Sequence, residues 1–259
     1  MLKKNVDIIL KQIGPNDKVL DIGGWIAPFN RANYVIDIMP HETRGIFGHS
    51  GPEKEFFTRD RWIIHDVSSV KPLPFNDKEI DYVVCSHLLE DIRDPIRLCS
   101  EIIRVGKRGY VEVPSRTIES TMGAESKENF YAGYYHHRWL IEIANSEIVF
   151  RHKSHLLHSS SRFHLPKKYL KKMKEEDKVS YMFWEGFFEY KEIIQVSYCK
   201  VMEELENFAR SKITPSYFKA KVRKLREMLK FIRNRIRIRN RSIESCSDFW
   251  KKIPDIESK

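Results

Sequence analysis

The chain has 259 residues, of which 41% are hydrophobic and 12% aromatic, with 11 glycines, 11 prolines and a formal net charge of +10. This composition excludes collagen-like and low-complexity classes, and no run approaches the roughly 20 apolar residues of a membrane span. Asp7 comes before the apolar core of a signal peptide can form, so we expect a soluble, cytoplasmic protein. The cysteines form no Cys-x-x-Cys pair and predict neither a disulfide scaffold nor a zinc site: Cys85, Cys99, Cys199 and Cys246.

Short apolar runs alternate with helical patterns over about the first 115 residues, which is typical of βαβ units on a parallel sheet. An opening helix is predicted to end at Gly14-Pro15. A second helix is predicted at residues 94–105, because Asp94 is a good N-cap and Pro95 suits the first helical position. Strands are predicted at residues 18–22, 34–37, 62–66, 81–85 and 110–113, after a turn at 106–109, and then at 147–151 and 155–159.

From Lys167 the pattern becomes helical and aromatic. We therefore divide the chain into a sheet domain, residues 1–165, and a helical extension, residues 166–259, which packs on the sheet domain or on a second subunit. Between residues 219 and 241 eleven Lys and Arg face one acid, Glu227, and apolar side chains recur at three- and four-residue steps. Residues 216–241 thus predict a basic amphipathic helix for an anionic membrane, for nucleic acid, or for docking on its own domain.

Aspartates lie at the ends of three successive predicted strands. The sequence KVLDIGG is a strand that runs into a turn at Gly23-Gly24, where a ligand can approach the backbone. Asp37 ends the next strand, where its carboxylate can accept hydrogen bonds from two ribose hydroxyls. Asp66 ends the third, where it can accept from an adenine amine while Val67 flanks the ring. Each feature alone also fits a tight turn or a helix cap.

The segment LPFNDKEIDYVVCSHLLEDIRDP, residues 73–95, resembles the corresponding segment of class I S-adenosylmethionine-dependent methyltransferases. It follows their VLDIG motif and precedes EIIRVGKRGY, which is similar to their E-(L/I)-x-R-V-x-K-x-G-Y stretch. The agreement covers residues 18–115 in order and spacing. More narrowly, the chain is similar to a bacterial branch of methyltransferase-domain proteins, some of which occur with surface-polysaccharide biosynthesis genes, through residues 28–37, 111–115 and 136–139.

The resemblance implies an α/β fold, with a Rossmann-like, doubly wound, mostly parallel seven-stranded sheet and a helical C-terminal extension. It also implies S-adenosylmethionine as the cofactor. Eight residues are implied to hold it: Asp21, Gly23 and Gly24 at the methionine end, Asp37 at the ribose, Asp66 and Val67 at the adenine, and Ser86 and His87 on the wall after the fourth strand. The chain lacks the third glycine of the family's Gly-x-Gly-x-Gly pattern and has Trp25 in the loop, so a non-catalytic binding module stays an alternative.

Methyl transfer needs an aligned donor and acceptor, and an alcohol acceptor also needs a base. The resemblance implies that the stretch after the fifth strand, here residues 131–139, lies over the methyl group, which makes it the expected acceptor lid. His137 or His136 is the predicted base, because imidazole titrates near neutral pH. Four neighbours are predicted to bind the acceptor, although aromatic runs are also common in cores: Tyr134, Tyr135, Arg138 and Trp139.

We therefore expect an enzyme of the class EC 2.1.1.- that methylates an oxygen of a small-molecule or glycan acceptor. Contact of residues 216–241 with the inner membrane face and a homo-oligomer are further expectations. An RNA methyltransferase that uses the same residues for phosphate contact is the alternative enzyme. No metal site is predicted, because His152, His155 and His158 are three residues apart on predicted strands, where such steps alternate faces.

Overall fold

The computed structural model describes residues 1–126 and 131–213 and the backbone of Ile256–Ser258. The helices in this part of the chain are α1 (Lys3–Gln12), α2 (Pro95–Val105), α3 (Arg116–Glu119), α4 (Leu156–Ser159) and α5 (Tyr198–Lys212). The strands are β1 (Val19–Ile22), β2 (Tyr34–Asp37), β3 (Trp62–Ile64), β4 (Ile80–Ser86), β5 (Gly106–Pro114), β6 (Trp139–Ala144), β7 (Glu147–His152), β8 (Val179–Glu185), β9 (Glu189–Ile194) and β10 (Ile256–Ser258).

The main sheet has six strands in the order β3-β2-β1-β4-β5-β8. The first five are parallel, and β8 runs antiparallel to β5. This mostly parallel, Rossmann-like α/β sheet confirms the predicted fold class, with six strands in place of the expected seven. The chain runs outward from β1 to β3 and then crosses back to β4, so the topological switch point lies between β1 and β4. Open α/β sheets bind ligands at the carboxyl ends of their strands at such a point.

The crossovers differ from the predicted βαβ rhythm. Only α2 links two parallel strands, β4 and β5, whereas the connections from β1 to β4 contain turns and two 3-10 segments, His41–Thr43 and Arg59–Arg61. The prediction of helices between these strands is therefore wrong. The link from β1 to β2 contains two glycines and Pro28, which all disfavour a helix. Hydrogen bonds hold it, including one from the Phe29 N–H to Asp21 Oδ2 at 2.8 Å.

The two faces of the main sheet are covered differently. Side chains of α1, among them Ile9, pack on one face with Phe29 and Trp62 from the strands and their connections. The helix α2 covers the other face with Leu98 and Ile102, beside apolar side chains of β6 and β7. The face under α1 and the face under α2 therefore both have a closed apolar core.

A second sheet has the order β10-β9-β7-β6. The strands β6 and β7 form a hairpin whose turn residues Asn145 and Ser146 have φ of 50° and 63°, as a two-residue primed turn requires. Residues 155–159, predicted as a strand, contain the short helix α4. The predicted turn at 106–109 belongs to β5, because the pairing with β4 extends through it.

The stretch predicted as a helical extension contributes to both sheets. The strand β8 pairs with β5 over its whole length, and β9 pairs with β7. The prediction of helices is therefore wrong for residues 179–194. The main sheet also includes a strand from beyond residue 165, where we divided the chain. Among the described residues of this stretch, α5 is α-helical as predicted, and Lys167–Lys172 and Glu175–Lys178 form 3-10 helices. The basic segment at 216–241 lies outside the described residues. No helix in the described ranges is long and apolar enough to cross a bilayer.

Candidate functional site

The predicted cofactor residues lie along one edge of the main sheet. Gly23 follows β1, Asp37 ends β2 and Ser86 ends β4. The register pairs Ile22 with both Ile36 and Cys85, so these three strand ends are adjacent. The structure thus brings the predicted residues together at the carboxyl edge, next to the switch point.

Two buried aspartates hold the loop after β1. Asp21 accepts the Phe29 N–H, while Asp37 accepts the Trp25 N–H on Oδ2 at 3.1 Å and the Met39 N–H on Oδ1 at 2.9 Å. Burial raises the pKa of Asp21 to about 7, against the Phe29 hydrogen bond and with help from the charge of Asp37. Burial likewise raises the pKa of Asp37, against its backbone donors. Since each Asp37 oxygen accepts one of these backbone hydrogen bonds, a lone pair on each is left for a ligand hydroxyl.

The two glycines of the loop are required by packing. Gly23 has a φ of 83°, and a Cβ there would lie 2.9 Å from Leu88 Cβ. A Cβ on Gly24 would lie 2.3 Å from Asp21 Oδ2. Trp25 donates its Nε1–H to the carbonyl oxygen and to Oγ1 of Thr43, both at 2.9 Å. The tryptophan that replaces the expected glycine pattern is therefore anchored to the 3-10 segment after β2.

Exposed apolar surface lies beside Asp37. Ile38 and Ile64 are 63% and 64% exposed, and Ile64 pairs with Asp37 across β2 and β3. By contrast, Val67 is buried in the core, and the exposed Asp66 accepts the Ser68 N–H at 2.9 Å. The burial of Val67 leaves little of it to touch an adenine ring, whereas the two isoleucines, which sequence reasoning missed, offer such a surface. Their only sequence signal was an apolar side chain where each of two strands ends, since Ile38 follows β2 and Ile64 is the last residue of β3.

His87 forms a charged pair at the end of β4. Its φ of 54° places the ring at the edge, where its side chain is 42% exposed. Nε2 lies 3.1 Å from Glu112 Oε1, and Nδ1 lies 3.5 Å from Glu90 Oε1. Burial lowers the pKa of His87, but the two carboxylates outweigh it and raise the value to about 9. His87 is therefore a cation at neutral pH.

Glu112, the partner of His87, is fully buried on β5. It also accepts the Tyr110 hydroxyl and the Leu2 N–H. Burial raises its pKa, but hydrogen bonds from His87 and Tyr110 dominate together and lower it to about 2. The His87–Glu112 pair is thus ionised on both sides over a wide pH range.

The predicted lid is fixed to α3 by Glu119. Oε1 of this buried carboxylate lies 2.7 Å from His137 Nδ1, and Oε2 accepts from Lys153 Nζ at 2.6 Å. Lys153 also donates to the Tyr134 carbonyl at 2.7 Å. Burial raises the pKa of Glu119, but these two partners reverse the effect and leave it lowered. Burial lowers the pKa of His137, but Glu119 outweighs it and leaves the pKa raised. Nδ1 of His137 faces Glu119, and Nε2 is the nitrogen that faces Asp91.

Asp91 lies between the two histidines. Its Oδ1 is 3.7 Å from His136 Nε2 and 3.6 Å from His137 Nε2. The Arg138 N–H donates to the Glu90 carbonyl at 2.7 Å, which joins the segment after β4 to the lid. Sequence reasoning missed both Glu90 and Asp91, although an acidic pair in the segment after the fourth strand was a usable signal. Lys153, the lysine after β7, gave no signal in the sequence.

The predicted acceptor residues divide into two groups. Tyr134 packs against His137 at 4.7 Å between ring centroids, and Tyr135 is 73% exposed. Arg138 is also exposed. Trp139 is only 9% exposed and donates its Nε1–H to the Ile92 carbonyl at 2.9 Å. Its ring belongs to the core, which leaves little surface for the predicted stacking on an acceptor.

Residues 34–111 match the family model of the methyltransferase domain. The matched segment runs from β2 into β5 and includes Asp37, Asp66, Ser86 and His87. The match confirms the resemblance to class I S-adenosylmethionine-dependent methyltransferases. It implies S-adenosylmethionine as the cofactor, and the carboxylate of Asp37, the apolar surface beside it and the cationic His87 fit a ribose, an adenine and a methionine carboxylate.

Solved structures show partial similarity. An S-adenosylmethionine-dependent methyltransferase from Mesorhizobium loti is 15% identical over 59% of this chain and 64% of its own, with a TM-score of 0.34. A Methanosarcina mazei methyltransferase is 23% identical over 42% and 57%, with a TM-score of 0.29. The YcgJ protein of Bacillus subtilis is 18% identical over 43% and 51%, with a TM-score of 0.30. The chain thus spans between 51% and 64% of these structures. No curated protein sequence matches it significantly.

Proposed function

We propose that this protein is an S-adenosylmethionine-dependent methyltransferase that methylates an oxygen of a small-molecule or glycan acceptor. One observation supports this most: the segment after β4 joins two sets of side chains. Glu90 lies 3.5 Å from His87, which with Asp37 suits the cofactor, and its neighbour Asp91 lies 3.6 to 3.7 Å from the lid histidines His137 and His136. A site that binds a methyl donor beside groups able to handle a proton is what O-methylation requires.

In this proposal Asp37 accepts hydrogen bonds from the ribose hydroxyls through its remaining lone pairs, and Ile38 and Ile64 flank the adenine. His87 pairs with the methionine carboxylate, and Ser86 lines the wall beside it. Asp21 acts through the loop, because its side chain is buried and engaged with Phe29. Asp66 stays a predicted adenine contact.

When bound, the cofactor would supply a methyl group on a sulfonium sulfur, and the side chains of the protein would hold the acceptor oxygen in line with that methyl group and take its proton. His137 is the residue that we propose for removal of the acceptor's proton. Its Nδ1 faces Glu119, so Nε2 is the atom that acts, with His136 as its neighbour. Tyr134 and Tyr135 pack against the two histidines and, with the exposed Arg138, are the proposed acceptor contacts.

Titration of the full chain with S-adenosylmethionine and S-adenosylhomocysteine by calorimetry tests the cofactor half, with NAD and ATP as controls. We expect binding of the first two alone. Asp37→Asn should weaken it at least tenfold, about 1.4 kcal/mol, because the amide presents donors to the ribose hydroxyls in place of a charged acceptor oxygen.

The exposed Asp60 provides the matched control: Asp60→Asn should bind like wild type. Equal affinity of Asp37→Asn and wild type in folded protein would refute the ribose assignment. Absence of binding to the wild type would favour the binding-module alternative. Acceptor screens then start with nucleotide sugars and lipid-linked glycans and continue with RNA, whose turnover would favour the RNA methyltransferase.

The basic segment suggests where the acceptor is met. Eleven Lys and Arg against Glu227 between residues 219 and 241 give the segment a net charge equal to the +10 of the whole chain. We include in the proposal that this segment binds an anionic membrane surface, where lipid-linked acceptors are available. The cytoplasmic location and the homo-oligomer stay predictions.

A further inference from the structure

We propose that Asp91, His136 and His137 form a binding site for one divalent transition-metal ion, for which Zn²⁺ is the probe. The site was not expected from the sequence, which suggested no metal centre. It goes beyond the proposed function, because cation binding requires neither S-adenosylmethionine nor an acceptor.

The geometry of the three side chains is the first argument. One ligand atom from each, the Asp91 carboxylate oxygen and one nitrogen of each histidine, lie within 4.8 Å of one another. Asp91 Oδ1 is 3.6 to 3.7 Å from both Nε2 atoms. Ligands at about 2.0 to 2.2 Å from a zinc ion are separated from one another by little more than 3 Å. A small inward shift would therefore bring all three atoms onto one ion.

The second argument is the orientation of both imidazoles. His137 Nδ1 lies 2.7 Å from Glu119, and His136 Nδ1 lies 3.9 Å from Glu125. Each ring thus turns its Nδ1 toward a glutamate and its Nε2 toward Asp91. A carboxylate hydrogen-bonded to the far ring nitrogen fixes a metal-binding histidine and raises its basicity, and the 2.7 Å contact of His137 with Glu119 is of this kind.

The third argument is charge. Oδ1 of Asp91 and both carboxylate oxygens of Glu90 are buried and accept no hydrogen bond from the described residues. Glu90 is fully enclosed, with a side chain 1% exposed, and His87 faces it only at 3.5 Å. The ion-pair partner of Lys153 is Glu119, and not Glu90 or Asp91. Buried carboxylate oxygens without donors are costly, and a cation would offset that cost.

The ligand set indicates the class of ion. Two imidazole nitrogens and one carboxylate oxygen suit zinc, iron or manganese, whereas Mg²⁺ and Ca²⁺ prefer oxygen ligands alone. Three protein ligands leave coordination positions open, as sites that bind a further oxygen ligand do. His136 and Asp91 are partly exposed, at 47% and 37%, so an ion and an oxygen ligand can reach the site.

A bound ion changes how the proposed reaction removes a proton. Nε2 of His137 has one lone pair, so it binds the ion in place of the proton. An acceptor hydroxyl that coordinates to the ion would lose its proton to water more readily, because the positive charge lowers the pKa of a bound hydroxyl. This consequence rests on the proposed function, whereas the binding itself does not.

The experiment measures zinc on the full chain. Protein stripped with chelator and dialysed is titrated with Zn²⁺ by calorimetry, and bound metal is counted by elemental analysis, with Mg²⁺ as the oxygen-preferring control. We expect one Zn²⁺ per chain, little binding of Mg²⁺, and at least tenfold weaker Zn²⁺ binding in His136→Gln and in Asp91→Asn. Both residues are partly exposed, so neither change should unfold the protein.

His155→Gln is the matched control, because this exposed histidine lies outside the cluster; it should bind Zn²⁺ like wild type. Absence of stoichiometric binding would overturn the proposal, as would equal binding by His136→Gln, Asp91→Asn and wild type. Titration with S-adenosylmethionine in the same variants keeps the two proposals apart. Zinc binding without cofactor binding would support the metal site and refute the methyltransferase, and the reverse would refute the metal site alone.

Discussion

At the scale of single residues, the pair of His87 and Glu112 makes the stability of the fold depend on pH. The pKa of His87 is raised to about 9 in the folded protein, while Glu112, with a pKa of about 2, stays charged. An unfolded histidine titrates near 6.5. Because the folded value lies above the unfolded one, the stabilisation is complete below about pH 6.5 and is lost as the pH rises through about 9.

Urea unfolding at pH 6, 8 and 9.5 checks this. Between pH 6 and 9.5 we expect the free energy of unfolding of the wild type to fall by about 1 kcal/mol more than that of His87→Gln. The figure is modest because water screens the partly exposed ring. His155→Gln, a change at an exposed histidine, should follow the wild-type curve. Parallel curves for wild type and His87→Gln would show that the pair contributes nothing.

Gly133 is the residue whose replacement should disturb the lid most. Its φ is 66°, and a Cβ there would lie 2.4 Å from Glu119 Oε2 and 2.7 Å from Lys153 Nζ. Gly186 has a similar φ of 72° with no atom within 4 Å of its Cβ position. The two glycines share the backbone strain of an alanine substitution, and only Gly133 adds a steric clash with a buried ion pair.

Gly186→Ala should lower the free energy of unfolding by about 1 kcal/mol because of backbone strain, and Gly133→Ala should lower it by about 2 kcal/mol more. Thermal and urea unfolding of the two variants measure the difference directly. If both variants lose the same stability, the ion pair of Glu119 and Lys153 does not hold the lid as described.

At the scale of elements, α2 has the clearest local determinants. Asp94 Oδ1 accepts the Arg97 N–H at 2.9 Å, and Pro95 occupies the first turn. We expect Asp94→Ala to lower the free energy of unfolding by about 1 kcal/mol, because an N–H of the first turn loses its acceptor. Asp94→Ser, which keeps a capping oxygen, should recover most of that loss. Equal losses in both variants would mean that Asp94 stabilises the protein by another route.

Elements with such local determinants were the ones predicted well. The helix at 94–105 and the strand at 34–37 were placed within a residue, because a cap and a bounded apolar run define them. The strands β8 and β9 were missed because both are half-exposed, and because β8 is rich in aromatic residues whereas β9 is rich in charged ones. In β8 the burial of Met182 and Trp184 alternates with the exposure of Tyr181, a period of two that the aromatic content obscured.

At the scale of the whole molecule, the candidate site combines segments that are distant in the chain. Predicted strand ends located Asp37 and His87 correctly at one edge, because parallel strands share their carboxyl ends. The contact of Asp91 with His136 and His137 was beyond reach, since it depends on how the lid returns to the segment after β4. Lys153 and Glu119 meet only through the tertiary fold. Local patterns thus predict which residues lie at the carboxyl edge of the main sheet better than they predict the contacts of the lid.

The segment at 219–241 gives the last prediction, on the surface that the protein approaches. Replacing Arg235, Arg237 and Arg239 with glutamine should weaken binding to anionic phospholipid vesicles by at least tenfold at low salt, because each basic residue near such a surface contributes about 1 kcal/mol.

The matched control replaces three exposed lysines of the described part with glutamine, Lys3, Lys11 and Lys54. It changes the net charge equally and should leave vesicle binding nearly intact. Vesicle sedimentation measures both, and a parallel titration with RNA completes the comparison. Loss of RNA binding in the arginine variant, with vesicle binding absent in the wild type, would contradict the membrane proposal and favour phosphate contact with nucleic acid.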